Sequence, residues 1–346
     1  MKIPPELYIW YASNARELPW RNTRNPYHIW LSEIMLQQTR VEQALPYYKR
    51  FLQRFPAIQN LADAGQEEVF TLWEGLGYYR RAANLLRTAQ IIVHHYNGRF
   101  PSTAQALEKL PGIGHYTAAA IASLAFDEPV AVLDGNVMRV LARFTGSHLP
   151  VNSSTGQKHF RQLAQNFLNK KNSALHNQAL MELGALICTP KNPRCTHCPI
   201  QNQCTAYNEK NQTLLPVKIK KKPIKNRYIH YIYASANKLI NIQIRTHNDI
   251  WQGLYEFPHL ETKRKSGINF RSRLAKHFGI NRQNLKFIRM QTHLLTHRKL
   301  HLYFWKYEGL INTENTVPIT RAQQLPMPVP LKRFLENQTN NPNFEI

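Results

Sequence analysis

Four cysteines with regular spacing form the most conspicuous group of reactive side chains in the chain. Cys188, Cys195, Cys198 and Cys204 follow the pattern Cys-x6-Cys-x2-Cys-x5-Cys. In a reducing compartment such a group is more often a metal site than a pair of disulfides. Structural zinc sites usually combine two Cys-x2-Cys pairs, and this stretch contains one pair. The compact spacing therefore favours a cubane iron–sulfur cluster, with zinc as the alternative.

A tight glycine turn opens the stretch LPGIGHYTAAAI, residues 110–121. Gly112 and Gly114 permit positive φ and leave backbone N–H groups unshielded, and the following helix start directs its positive dipole end to the same place. ALEKL precedes the turn and AAAIASLAF follows it, which predicts a helix, a hairpin and a helix. Such a unit can bind one phosphate of a DNA backbone without reading a base. A helix corner with a glycine cap is the alternative.

Two carboxylates occur in settings that suit acid–base chemistry. Glu33 lies among apolar residues in WLSEIMLQQT, so it either faces solvent on an amphipathic helix or is desolvated with a raised pKa. Asp134 precedes a basic amphipathic helix in LDGNVMRVLAR, a position at which aspartate usually caps the helix. Asn136 either caps the same turn or orients Asp134.

The charge of the chain indicates its class of partner. Lys and Arg number 45 against 21 acidic residues, a formal net charge of +24. This excess favours a polyanion such as nucleic acid, although a solubilising surface charge would also produce it. The sequence shows no signal or transit peptide and no apolar run long enough to span a bilayer. We therefore expect a cytoplasmic, nucleoid-associated protein that has no membrane contact. We also expect the protein to be monomeric.

The elements that must position these residues fall into two domains, as the length of 346 residues suggests. Apolar residues with helical spacing dominate the first 187 residues, as in EEVFTLWEGLGYYRRAANLLRTAQIIVHHY. KIKKKPIKNR, residues 218–227, suits a solvated linker. Beyond it YIHYIYAS, KLINIQIRT and KLHLYFWKYE predict strands, FRSRLAKHFG predicts a helix, and the terminal NQTNNPNFEI predicts disorder. We expect a domain over 1–207, a basic linker over 208–227 and a second domain over 228–346.

The segments together resemble a known family, the helix-hairpin-helix DNA glycosylases that include endonuclease III and the MutY-type adenine DNA glycosylases. The resemblance covers most of the first domain, and WLSEIMLQQT and GLGYYRRA resemble the MutY branch in particular. The matching stretches are LPWR, NPYHIWLSEIMLQQT, LWEGLGYYRRAANL, LPGIGHYTA, LDGNVMRVLAR and NQALMELGALIC. The resemblance implies an all-α helix-hairpin-helix domain with a 4Fe-4S cluster loop over 188–204, followed by a small α+β Nudix-like domain.

The resemblance also implies a set of catalytic residues. Base removal cleaves an N-glycosidic bond through an oxocarbenium-like transition state, which calls for a proton donor and a carboxylate near the sugar cation. Glu33 matches the acid that protonates adenine, and Asp134 matches the carboxylate that stabilises the cation, with Asn136 beside it. Tyr116 stands where the lyase branch has a lysine that forms a Schiff base. A phenol cannot form an imine, so the resemblance implies hydrolysis by water.

Further residues match the DNA contacts of the family. Gln38 and Tyr78 match residues that wedge into the stack beside the partner base, although Tyr78 would also suit a core position. Gly112 and Gly114 match the phosphate-binding hairpin, and Arg21 is a weaker candidate for a contact in the site. The implied substrate is double-stranded DNA in which adenine is mispaired with 8-oxoguanine or guanine.

The second domain is similar to the Nudix-like domain of MutY proteins, for which WQGLYEFP is a marker. The Nudix metal motif is absent from the sequence after Lys218, so we expect no pyrophosphate hydrolysis. Leu295, Thr296 and His297 stand where many relatives have Phe-Ser-His, which makes Thr296 and His297 candidates for lesion contacts; a polar hairpin tip is the alternative. Two competing functions are a bifunctional glycosylase-lyase and a non-catalytic mismatch-binding or redox-sensing module.

Overall fold

The computed structural model describes residues 2–220, 223–262, 270–312 and 315–340, which pack as two compact units. The first unit comprises the described residues up to Ala64 and those from Asn84 to Lys220. The second unit comprises Gly65–Ala83 and the described residues from 223 onward. A segment that the sequence places in the helical domain therefore packs with the C-terminal part of the chain.

The described helices follow the predicted all-α character of the N-terminal part. They are α1 Glu6–Asn14, α2 Pro26–Leu36, α3 Val41–Arg54, α4 Ile58–Ala62, α5 Gln66–Leu72, α6 Arg80–Tyr96, α7 Ala104–Leu107, α8 His115–Phe126, α9 Gly135–Phe144, α10 Ser154–Phe167, α11 Ser173–Leu186, α12 Thr205–Asn208, α13 Phe270–Phe278, α14 Ile319–Ala322 and α15 Val329–Asn340. The all-α helix-hairpin-helix domain is confirmed.

Helix α8 lies at the centre of the first unit. Its sequence HYTAAAIASLAF combines strong helix formers with small side chains, so neighbouring helices approach its backbone closely. Residues 117–124 are all buried, and α8 packs against α2, α7 and α11. The helix ends at Phe126, because the next residue, Asp127, has a φ of 57° that breaks the helical path. This packing brings residues at the start of α8 next to α2.

The stretch 67–96, whose apolar residues have helical spacing, forms two helices with a break between them. Helix α5 ends at Leu72 and α6 begins at Arg80. Gly75 and Gly77 between them have φ values of 99° and 71°, which a helix cannot contain. The break creates a turn that presents Tyr78.

The second unit contains a mixed sheet that matches the predicted α+β class. Its strands are β1 Lys225–Ala236, β2 Leu239–Asn241, β3 Gln243–Ile244, β4 Tyr255–Glu256, β5 His259–Thr262, β6 Leu285–Leu294, β7 Arg298–Glu308 and β8 Thr316–Pro318. The main sheet has the order β6-β7-β1-β2-β8, with β5 also paired to β1, and β3 pairs with β4. Strands β1 and β7 are parallel, whereas β6 and β7 form an antiparallel hairpin.

Each face of the sheet is covered by a helix, because successive strand residues point to opposite faces. On one face, Tyr231 of β1 and Phe304 of β7 pack against Phe334 of α15. On the other face, Ile232 of β1 packs in a cluster with Leu274 of α13. Alternate residues of the strands therefore pack on opposite faces of the sheet, and the second unit has a hydrophobic cluster on each face.

Two sequence expectations differ from the structure at their ends. The predicted linker over 208–227 is shorter, because β1 begins at Lys225 and pairs there with Arg298 of β7. The terminal stretch from 337 was predicted to be disordered, yet α15 continues through Asn340; residues 341–346 lie outside the described residues. Within the described ranges, no helix combines the length and apolar character that crossing a membrane requires.

Candidate active site and DNA-contacting residues

Glu33 is buried on α2 and is hydrogen-bonded to Tyr116. Glu33 is 6% exposed, and the Tyr116 hydroxyl donates to its Oε2 at 2.6 Å. Burial raises the pKa of Glu33 to about 7, although the hydrogen bond from Tyr116 opposes this rise. Of the two sequence interpretations of Glu33, the structure supports the desolvated carboxyl.

Asp134 is the N-cap of α9 and lies close enough to Glu33 for its charge to raise the pKa of that carboxyl. Its Oδ1 accepts from the Val137 backbone N–H at 2.7 Å, as a capping carboxylate does. Its Oδ2 accepts from the Asn136 side-chain amide at 2.8 Å. Burial raises the pKa of Asp134, and these two donors oppose that rise. Asp134 therefore caps α9, and this position is compatible with the catalytic role that the sequence predicts for its carboxylate.

A buried arginine connects Asn136 to the segment that carries the first cysteine. Arg139 donates from Nη2 to the Asn136 side-chain oxygen at 2.8 Å and to the Gly184 carbonyl at 2.7 Å, and from Nε to the Cys188 carbonyl at 2.7 Å. A Cβ at Gly184 would lie 2.6 Å from Cβ of Asn136, so only glycine lets α11 approach α9 here. Sequence reasoning identified neither Arg139 nor Gly184.

Arg21 lies in a buried ion-pair group rather than free toward solvent. It donates to both oxygens of Glu182, at 3.0 and 2.6 Å, and Arg16 donates to both as well. Although burial raises the pKa of Glu182, these hydrogen bonds lower it to about 2. The charge of Arg21 also lowers the pKa of Glu33. A direct contact of Arg21 with DNA stays a prediction.

The hairpin between α7 and α8 contains one glycine in the left-handed region. Gly112 has φ of 76°, and a Cβ there would lie 2.7 Å from Cβ of Asn84, so both conformation and space require glycine. Gly114 has φ of −89° and caps α8 in extended backbone, which corrects the expectation of positive φ at both positions. Both glycines are exposed, as a phosphate contact requires.

The two predicted wedge residues share an uncommon backbone conformation. Gln38 has φ of 58° and Tyr78 has φ of 48°, values that are rare for side chains larger than glycine. Gln38 is exposed in the turn after α2, and the neighbouring Gln37 amide donates to the Thr117 hydroxyl at 3.3 Å. Tyr78 is 50% exposed. Both side chains therefore protrude from tight turns rather than joining the core.

The turn that presents Tyr78 is held by two neighbouring side chains. The Trp73 indole N–H donates to the Gly77 carbonyl at 2.9 Å, and Arg81 donates to the same carbonyl at 3.2 Å. The Arg81 guanidinium also lies 5.1 Å from the Trp73 ring centroid and 5.9 Å from that of Tyr78. These contacts stabilise the strained conformation at Tyr78.

Thr296 and His297 lie at the tip of the β6–β7 hairpin and are exposed. The Leu295 backbone N–H donates to the Arg298 carbonyl at 2.8 Å, which closes the tip, and the Lys225 N–H donates to the His297 carbonyl at 3.3 Å. Within the second unit the Thr296 hydroxyl is hydrogen-bonded to the Tyr78 hydroxyl, across 218 residues of sequence. Two side chains predicted to contact DNA are thus neighbours.

The four cysteines line one small cavity together with Arg143, whose Nη1 lies 3.3 Å from Sγ of Cys188. All four are free thiols of intermediate exposure. Burial raises the pKa of Cys198 to about 12, so the chain alone favours a neutral thiol there. Across the described ranges, no three His, Cys, Asp or Glu side chains are drawn together as for one metal ion. The four cysteines of the sequence pattern thus line one common cavity.

The arrangement combines a carboxyl that is partly protonated at neutral pH with a second carboxyl nearby. Such a pair can donate a proton to a leaving group and stabilise a developing cation. Comparison with known proteins points the same way. Residues 31–179 match the family described as HhH-GPD superfamily base excision DNA repair protein, and residues 229–337 match the NUDIX domain.

Known proteins are similar to the chain over most of its length. The adenine DNA glycosylase of Buchnera aphidicola subsp. Schizaphis graminum (strain Sg) is 36% identical over 335 residues, 94% of this chain and 96% of that protein. The adenine DNA glycosylase of Mus musculus is 46% identical over 210 residues, 58% of this chain and 41% of that protein. The solved structure of a thermostable thymine-DNA glycosylase is 29% identical and covers 59% of this chain and 94% of its own, with a TM-score of 0.55.

Proposed function

The chain belongs to the adenine DNA glycosylase family, and on this premise we propose that it hydrolyses the N-glycosidic bond of adenine mispaired with 8-oxoguanine or guanine. It is a DNA glycosylase of the base excision repair class. The observation that carries the adenine proposal is the buried Glu33, with a pKa of about 7, bonded to Tyr116 and close to Asp134.

The first step of the proposed reaction is protonation of the base. The target adenine is flipped out of the duplex, because its glycosidic bond cannot be reached inside the stack. Glu33 donates its proton to a ring nitrogen, which makes adenine a better leaving group. The pKa of about 7 supports this assignment, since an ordinary carboxyl would hold almost no proton at neutral pH.

The second step is stabilisation and capture of the sugar cation. As the bond to adenine breaks, positive charge develops at C1′, and the Asp134 carboxylate stabilises it. The Val137 N–H and the Asn136 amide hold that carboxylate in place and favour its charged form. Water attacks C1′, its proton returns to Glu33, and an abasic site is left.

Hydrolysis without strand cleavage is proposed because of Tyr116. Its hydroxyl is committed to Glu33 at 2.6 Å, and burial raises its pKa well above the ordinary value. A neutral phenol cannot form an imine with the sugar. Its proposed role is to hold and polarise Glu33.

We assign the DNA contacts to three places. Gly112 and Gly114 offer backbone N–H groups at the start of α8 to a phosphate. Gln38 and Tyr78 wedge into the stack beside the base opposite adenine. Thr296 and His297 read that base, with hydroxyl and imidazole groups in place of an aromatic wedge. Exposure at these positions supports the assignment.

The four cysteines are proposed to hold a 4Fe-4S cluster. Their common cavity and the proximity of the Arg143 guanidinium to the Cys188 sulfur fit four thiolates of a negatively charged cluster. When bound, the cluster supplies cross-linking of the loop over 188–204 rather than a reaction step. A monomeric state and a place of action at the nucleoid complete the proposal.

A single-turnover assay tests this function. The protein is incubated with duplexes that carry adenine opposite 8-oxoguanine, guanine or thymine, with and without subsequent alkali and with borohydride. We expect adenine release opposite 8-oxoguanine and guanine, with strand breaks only after alkali. Strand breaks without alkali together with a borohydride-trapped complex would indicate a lyase, and binding without release of base would indicate a recognition module.

A further inference from the structure

The segment Asp249–Leu254 contacts α5, which leads into the turn that carries Tyr78, and the β6–β7 hairpin, which carries Thr296. It overlaps the start of the marker stretch WQGLYEFP, residues 251–258, and we call it the bracket turn. Its Trp251 and Gly253 have φ values of 61° and 80°, so the segment is tightly folded. The Arg245 backbone pairs with it on both sides, through the Gly253 N–H at 2.8 Å and the Leu254 carbonyl at 2.9 Å.

One end of the bracket turn is attached to the β6–β7 hairpin. Oδ1 of Asp249 lies 2.5 Å from Nη1 of Arg298, the residue that directly follows His297 at the tip. The Trp251 ring packs against the His293 ring of β6, with centroids 5.9 Å apart. Asp249 is also paired with Arg227, whose Nη2 lies 2.5 Å from Glu261. The carboxylate therefore links the hairpin to the rigid sheet.

The other end of the bracket turn packs on α5. A Cβ at Gly253 would lie 3.0 Å from both the Gln66 amide nitrogen and the Phe70 ring, so the backbone approaches α5 as closely as glycine permits. Phe70 is buried and packs edge-on against Tyr79, with ring centroids 5.6 Å apart. Tyr79 is the residue directly after Tyr78. The packing of the bracket turn on Phe70 is therefore linked to Tyr78 through the ring of Tyr79.

Two ion pairs hold the same helix and turn on the C-terminal part of the chain. Glu67 of α5 lies 2.5 Å from Nη2 of Arg321, and the Tyr255 hydroxyl donates to it at 3.3 Å. Glu74, in the turn before Tyr78, lies 3.5 Å from Nζ of Lys332, and both side chains are largely buried. Near its start and in its middle, the segment 65–83 is thus paired with residues of the C-terminal part of the second unit.

We propose that the bracket turn fixes the spacing between Tyr78 and the Thr296–His297 tip, and that Asp249 is a positioning residue for recognition of the base opposite adenine. The hydrogen bond between Tyr78 and Thr296 is the point where the two elements meet. Asp249 does not touch the base itself. The inference rests on the proposed function, since it concerns how that function distinguishes 8-oxoguanine from guanine.

The test uses Asp249→Asn in the full chain, which keeps the size of the side chain and removes the charge that pairs with Arg298 and Arg227. Single-turnover rates are measured for adenine opposite 8-oxoguanine and opposite guanine. Fluorescence of 2-aminopurine placed beside the 8-oxoguanine reports insertion of the wedge. We expect the ratio of the two rates to fall about tenfold and the fluorescence increase to be lost, while the rate opposite guanine stays within about twofold.

Glu308→Gln is the matched control. Glu308 lies at the opposite end of β7, is 64% exposed at its side chain and pairs with Lys286 and Lys306 at 3.9 Å. Its substitution removes the same charge without touching the bracket turn, so both readings are expected to match the wild type. Thermal melting of each variant separates a local effect from loss of folding.

Arg298→Gln provides a second route if Asp249→Asn fails to fold, because it leaves the Asp249–Arg227 pair intact. Lys306→Gln is its charge-matched control. Each variant is also combined with Thr296→Ala. If the bracket turn acts through the hairpin tip, the double variant shows no further loss of preference beyond the stronger single variant.

The outcomes separate the inference from the function on which it rests. Adenine release by the wild type with unchanged preference and fluorescence in both Asp249→Asn and Arg298→Gln overturns the inference alone. Additive losses with Thr296→Ala overturn it as well, and so does a wild type that releases adenine without preferring 8-oxoguanine. Failure of the wild type to release adenine from any duplex refutes the proposed function itself.

Discussion

The Tyr116 hydroxyl donates a 2.6 Å hydrogen bond to Glu33 from the first turn of α8 to the interior of α2, across 83 residues of sequence. Burial raises the pKa of Glu33, and this hydrogen bond lowers it. Because the hydrogen bond favours the charged carboxylate, it keeps the pKa of a deeply buried acid near neutrality. Tyr116 thereby sets the pH range over which Glu33 can both give and take a proton.

Tyr116→Phe is expected to shift the pH dependence of adenine release. Removing the hydroxyl removes an influence that lowers the pKa of Glu33, so that pKa rises above about 7. Activity that needs protonated Glu33 is lost as pH rises through this pKa, and the alkaline limb of the single-turnover profile therefore moves to higher pH. Tyr27→Phe, which removes another buried hydroxyl bonded to the Phe55 carbonyl, should leave the limb unmoved.

Glu33→Gln is expected to abolish adenine release and to stabilise the protein at alkaline pH. The folded pKa of about 7 exceeds the unfolded value of roughly 4, so the folded state loses stability as pH rises between these values. Above pH 7 this cost is on the order of 3 kcal/mol, and glutamine removes it. Thermal melting at pH 8 should show the variant melting above the wild type, with the difference absent at pH 4. A lower melting temperature at pH 8 would contradict the raised pKa.

The sequence contained enough information to name the carboxylates, but not their partners. The apolar neighbours of Glu33 made a desolvated carboxyl one of two interpretations, because the residues around a position on a helix indicate whether that face is buried. The partner Tyr116 and the two arginines on Glu182 lie 83 and more than 160 residues away, and no local pattern encodes such distances. A single acid in the apolar run NQALMELGALI was the one signal that could have identified Glu182.

The same limit separates the predicted parts of the fold from the rest. Helix α13 and the strand periodicity of β7 follow from spacing of apolar residues, which short stretches of sequence contain. The parallel pairing of β1 with β7 and the packing of the segment 65–83 in the second unit depend on contacts far apart in sequence. At Gly114, the glycine suggested a backbone with positive φ, whereas the residue serves as an extended helix cap.

Glu182→Gln tests the ion-pair group beside the site and should change stability in the opposite sense to Glu33→Gln. The folded pKa of about 2 lies below the unfolded value of roughly 4, so the contribution of Glu182 is present above pH 4 and is lost as pH falls toward 2. Neutralising it leaves the largely buried Arg21 without its counter-charge, at a cost of about 2–4 kcal/mol. Thermal melting at pH 7 should show a clear decrease, and the difference from wild type should shrink in acid. Unchanged melting at pH 7 would argue against the pair as a stabilising element.

Asp134→Asn should separate catalysis from folding and from DNA binding, because asparagine caps a helix as well as aspartate does. The side-chain oxygen can still accept from the Val137 N–H, so α9 begins at the same residue. The charge that is proposed to stabilise the sugar cation is lost, and single-turnover adenine release should fall at least about 100-fold. Affinity for a duplex with adenine opposite 8-oxoguanine, measured by fluorescence anisotropy, should stay within about threefold, because a lost negative charge does not weaken phosphate contacts. Asp127→Asn, an exposed acid after α8 that pairs with Arg24, is the matched control and should retain both properties. Equal losses of activity and binding in Asp134→Asn would show that Asp134 acts as a structural cap alone.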